Sequence, residues 1–157
     1  MKRAFTILGV FVLVLAAASV VLAQSSPFDG TWKLNPAKSK GAAGTVPKEQ
    51  TAKITTIGDQ VETDITGTNA DGTPGQIKYV MPVKGGVGKV LSGGPYDGVS
   101  RKNINANTRE VSYMQGGKET LHITAILSKD GKTMTVTGKG KDAQGKPVSN
   151  VTVYDKQ

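Results

Sequence analysis

The chain has 157 residues, no cysteine, one tryptophan, one histidine, and 20 lysines and arginines against 12 aspartates and glutamates, for a formal charge of +8. Without cysteine there is no disulfide framework, no thiolate nucleophile and no cysteine metal ligand, so stability must come from packing and hydrogen bonds. With a single histidine, a zinc site or a catalytic triad lacks the partners it needs.

In chain order, the first element is a leader. Lys2 and Arg3 precede an apolar run from Ala4 to Leu22, and Val21-Leu22-Ala23 presents small residues at the minus-three and minus-one positions. This pattern predicts a signal peptide over 1–23, cut before Gln24, and an exported protein that is periplasmic or extracellular. The rival reading is a retained anchor, because the run is long enough to span a thin bilayer. No cysteine stands beside the cut, which excludes a lipid-anchored lipoprotein. Removal leaves one domain, 24–157, of 134 residues, and lowers the charge from +8 to +6. Outside the cytoplasm the anionic partners of such a chain are lipid surfaces, acidic glycans and small organic acids.

Within 24–157, only 24 of 134 residues are Leu, Ile, Val or Phe, close to the composition of disordered chains. The pattern argues for folding. Apolar residues alternate with polar ones at Val61, Thr63 and Ile65, at Ile77, Tyr79 and Met81, and at Leu121, Ile123, Ala125 and Leu127. Turn residues punctuate the runs at Gly58-Asp59, Ala70-Asp71-Gly72, Asn105-Ala106-Asn107, Gly116-Gly117, Asp130-Gly131 and Gln144-Gly145. Strands are therefore predicted near 29–35, 51–57, 60–68, 75–83, 87–92, 98–104, 109–115, 118–128, 132–140 and 147–155. Residues 36–48 have room for one short turn and no helix. About ten antiparallel strands in sequence order, each with one apolar face, close most simply into an all-β up-and-down meander barrel of about 8–10 strands, which leaves no bare edge. Gly30, Trp32 and Leu34 share a face of the first strand, so the indole can plug one end while the glycine lets another segment cross.

Gly30-Thr31-Trp32 on a first strand, followed by a meander, resembles the calycin superfamily of lipocalins and fatty-acid-binding proteins. The longer segment "GTWKLNPAKSK" resembles small secreted bacterial lipocalin-like proteins, and the likeness covers the whole of 24–157. The resemblance implies a barrel that holds a small molecule. The chain departs from the family at its last strand. Thr152 and Tyr154 stand where fatty-acid-binding proteins carry an arginine and a tyrosine for the ligand carboxylate, and no arginine lies between Lys146 and Lys156 to cover the tryptophan. The fold expectation survives these departures, whereas fatty-acid binding does not carry over.

The remaining motifs have plain readings. Lys84-Gly85-Gly86-Val87-Gly88-Lys89 imitates a phosphate-binding loop, but Val90 takes the magnesium position and strands flank it, so it reads as a glycine-rich turn. His122 falls out of phase with Leu121 and Ile123 and is expected on the outer face. Asp71, Asp97, Asp130 and Asp142 sit in turns without calcium-loop spacing. No serine elbow or carboxylate pair appears, so neither catalytic residues nor a cofactor are expected, and the chain reads as a non-enzyme.

The candidate ligand-binding residues are Trp32, Tyr79, Met81, Arg101 and Tyr113. The tyrosines and Met81 fall on predicted inner faces, where they either line a cavity or fill a core. Arg101 is in phase with Val99: turned inward it suggests an acidic ligand, and turned outward it is an ordinary edge arginine. The segment 129–150 holds five lysines and two aspartates without interleaved aromatic residues, which suits an anionic lipid or glycan surface and not nucleic acid. Two functions follow: a carrier of a small, partly apolar ligand, or a solid-cored envelope or extracellular protein acting through its basic surface.

Overall fold

The computed structural model describes residues 26–142 and 145–157, so the predicted leader and Gln144 lie outside the described residues. The strands are β1 (Gly30–Leu34), β2 (Lys40–Gly41), β3 (Glu49–Ile57), β4 (Gln60–Thr68), β5 (Pro74–Pro82), β6 (Gly86–Gly93), β7 (Gly98–Asn105), β8 (Thr108–Gln115), β9 (Lys118–Leu127), β10 (Thr133–Lys141) and β11 (Pro147–Lys156). All ten predicted strands are present with boundaries shifted by at most two residues, and the two-residue β2 is the one strand that the alternation did not announce.

Each long strand pairs antiparallel with its neighbour in sequence, and β1 pairs with both β3 and β11, which closes a ten-stranded barrel. The seam along β11 is made in two pieces. Leu34 pairs with Tyr154, the chain turns through a short 3-10 helix at Pro36–Lys38, and Lys40 then pairs with Val151. Asn35 makes this bend, its side chain accepting from the Lys38 N–H and donating to Asp155 at 2.7 Å. One end of the barrel, here the turn end, carries the hairpins at 58–59, 83–85, 106–107 and 128–132, together with residues 26–29.

The interior is filled by two packed clusters. One joins Phe28, Trp32, Leu34, Ile54, Val61, Leu127, Met134 and Tyr154. The other joins Tyr79, Met81, Val99, Val111 and Tyr113, and Ile65 on β4 packs against both. Trp32 and Met81 are 0 % exposed, so the middle of the barrel is core and not channel.

Gly30 shows why the first strand begins as it does. It sits at φ +135°, and a Cβ there would lie 2.7 Å from the Cε of Lys156. The lysine stem crosses that bare backbone and brings its Nζ to 5.1 Å from the Trp32 ring centroid. The last strand therefore does place a base over the tryptophan. It is a lysine and not an arginine, which corrects the sequence-based expectation that this cover is missing.

Gly30→Ala should lower stability by about 1–3 kcal/mol, through strain at the positive φ and displacement of the lysine stem. The check is a urea unfolding curve, with the midpoint falling at constant slope; an unchanged midpoint contradicts the crossing.

Candidate functional site

The turn end is assembled from the residues just before β1. The Asp29 N–H donates to the Ser26 carbonyl at 2.8 Å, and Asp29 in turn accepts from the Ser26 N–H at 3.1 Å and from the Thr56 hydroxyl at 2.9 Å. This tight loop puts Phe28 under the barrel, where its carbonyl accepts the Trp32 indole N–H at 2.8 Å. The Phe28 ring then lies against the guanidinium of Arg109, 4.1 Å from centroid to Cζ.

Arg101 and Arg109 both point inward. Arg101 is in phase with buried Val99 on β7, and Arg109 with buried Val111 and Tyr113 on β8. Asn103 pairs with Arg109 and Arg101 with Val111, so the arginines are diagonal neighbours on one face. Arg101 donates through Nη2 to the carbonyls of Pro82 (2.7 Å) and Val83, and Asn103 donates to the same Val83 carbonyl at 3.0 Å. Arg109 is 6 % exposed, and its side chain makes no hydrogen bond or ion pair among the described residues. The Nε atoms of both arginines are buried without a partner among the described residues.

These groups open on a cleft of about 420 Å³. Pro27, Phe28, Val61 and Val83 supply its apolar wall, and Arg101, Arg109, Asn103 and Thr56 its polar one. Burial pulls the Arg109 guanidinium down to about 10, with the charge of Arg101 acting in the same direction and Asp29 and the Tyr79 and Tyr113 hydroxyls against it. Arg101 is lowered as well, first by burial.

All five residues predicted for ligand binding are buried in the barrel, but only Arg101 lines this cleft. The outward alternative for Arg101 is overturned, because Pro82 and Val83 offer it carbonyl acceptors at the rim. Tyr79 and Tyr113 satisfy each other, with their hydroxyls 3.0 Å apart and their rings edge to face. Their tips thus lie within packed side chains, and burial pushes the Tyr113 hydroxyl well above its ordinary value. Arg109 and Phe28 are the residues that sequence reasoning missed. Arg109 was within reach of the same alternation that singled out Arg101; Phe28 precedes the first strand and has no period to reveal it.

Other expectations sort quickly. His122 is half-exposed on the outer face, beside Ser112 and Glu119. Lys84–Lys89 forms a hairpin that runs into β6 and not into a helix. Among the described residues no group of three or more His, Cys, Asp or Glu is placed to hold a metal. A second groove, of about 520 Å³, lies near the opposite end along Lys33, Pro36, Glu49 and Gln50, and holds none of the predicted residues. No family model matches the chain, and no curated protein matches it significantly. The closed meander barrel is compatible with a calycin-like fold.

A buried cation with no counter-charge in contact destabilises the unliganded fold. Lowering this guanidinium to about 10 costs the fold roughly 3 kcal/mol. Arg109→Met, which keeps the packing on Phe28, should therefore raise stability by about 1–3 kcal/mol near neutral pH. The lowered folded-state value of this cation means that the unfolded chain binds more protons from about pH 10 up to the ordinary arginine value. The deficit is thus complete below pH 10 and fades above it. Chemical denaturation of both proteins at pH 7 and pH 11 checks this, with the gap between them expected to narrow at the higher pH. A variant less stable than the parent at pH 7 contradicts it.

Proposed function

We propose that this chain is an exported, calycin-like, non-enzymatic barrel that binds a small, partly apolar molecule. The observation that carries the reading is the 420 Å³ cleft at the turn end, where an apolar wall faces two arginines whose Nε donors have no partner among the described residues. Sites of this kind orient a ligand with a few polar groups and retain it by apolar contact. Export rests on the leader pattern of residues 1–23, and the calycin assignment on Gly30-Thr31-Trp32 together with the closed meander.

The packed interior also favours a second reading, a solid-cored envelope or extracellular protein acting through its surface. Lys139 and Lys141 are exposed at the end of β10 away from the cleft, within the lysine-rich segment noted in the sequence. Anionic lipid or glycan is the partner such a surface would meet.

Native mass spectrometry of the protein purified from its own envelope separates the two. The ligand reading predicts an added small mass that is lost on denaturation. A bare chain that sediments with phosphatidylglycerol vesicles, and is released by salt, would support the surface reading instead.

A further inference from the structure

We propose that the cleft is built for a compact organic carboxylate, held chiefly by Arg109 with Arg101 beside it; this rests on the small-ligand reading above. Three observations converge on an anion. The Arg109 side chain is buried without a hydrogen bond or ion pair among the described residues, and its Nε is an orphan donor. Arg101 spends Nη2 on two carbonyls that fix its position but carry no net charge, and its Nε is likewise unmet. The carboxylate whose charge reaches both, Asp29, is already engaged by the Ser26 N–H and the Thr56 hydroxyl. Two guanidinium groups and one carboxylate leave the pocket with one positive charge. A single carboxylate neutralises it and offers the planar pair of acceptors that a guanidinium fork matches.

The cleft also sets the size of the ligand. Val61 forms part of its wall, and Met81, Val99 and Trp32 fill the barrel beyond, all four at 1 % exposure or less. Among the described residues that packing blocks a long acyl chain, whereas a short or ring-bearing body fits against Pro27, Val61 and Val83. The site is therefore not the interior carboxylate site implied by resemblance to fatty-acid-binding proteins, whose last-strand arginine is replaced here by Thr152.

The fold supplies its own reporter. Trp32, the single tryptophan, bonds the carbonyl of Phe28, and the Phe28 ring supports Arg109, so occupancy at Arg109 should alter Trp32 emission. The test titrates the purified protein with benzoate, phenylacetate and butyrate, and with the amide of each, following Trp32 fluorescence and the calorimetric heat. At least one acid should bind ten or more times more tightly than its amide and raise the melting temperature. Arg109→Met should lose that preference tenfold or more while melting no lower than the parent, which excludes misfolding as the cause. Amides binding as well as acids would overturn the carboxylate inference and leave the small-ligand reading intact. Acid binding unchanged in Arg109→Met, or palmitate binding more tightly than every short acid, would overturn it too. No acid or amide binding, combined with a bare chain in native mass spectrometry, would remove both readings.

Discussion

The indole N–H of Trp32 donates to the carbonyl of Phe28 at 2.8 Å, and that bond ties the segment carrying Phe28, and with it the candidate site, to the strand that closes the barrel. On one side the indole is fixed in the core of the first strand, beneath the stem of Lys156 where it crosses Gly30. On the other side Phe28 is fixed under the barrel, with its ring against Arg109. A short segment outside the sheet is thereby tied to the first strand, the last strand and the middle of the meander. Ordering those residues costs conformational entropy, which a buried bond and a buried aromatic ring offset.

The turn end holds the two buried charged side chains, whereas the other buried polar ones among the described residues are the neutral Thr63 and Thr152. Along β8, Val111 and Tyr113 join the core while Arg109, at the start of the strand, reaches only the rim. Along β7, Val99 is core and Arg101 stops where the carbonyls of Pro82 and Val83 await it. Both strands therefore carry an apolar half and a cationic end on the same face. Stability alone would favour apolar residues at those two positions, since buried charges in contact with no opposite charge are costly. Their presence marks the place where the fold departs from what packing prefers.

Much of the fold was legible in the sequence because strands announce themselves by a period of two and hairpins by Asn, Asp and Gly. The ten strands followed from that, as did the inward side of Tyr79, Met81 and Tyr113. The short β2 did not, because two residues cannot show a period, and its position depends on the Asn35–Asp155 contact made across the chain. The site was only half legible. Arg101 shared a phase with Val99, but its direction depended on carbonyl acceptors from another hairpin. Phe28 became part of the site through a turn held by Ser26 and Asp29, and such contacts leave no periodic signature. The tyrosines, which read equally well as cavity or core, proved to hydrogen-bond each other within the packed interior.

The Arg109 guanidinium is buried, charged and without an anion in contact among the described residues. Carbon-13 NMR of arginine Cζ across a pH titration observes that group directly. The expected result is that the Arg109 resonance moves with a midpoint near 10, well below an ordinary arginine, and shifts again when a short carboxylate is added at neutral pH. If Arg109 stays unchanged to pH 12 and is indifferent to the acid, its guanidinium is solvated, and the cleft loses the charge that defines it.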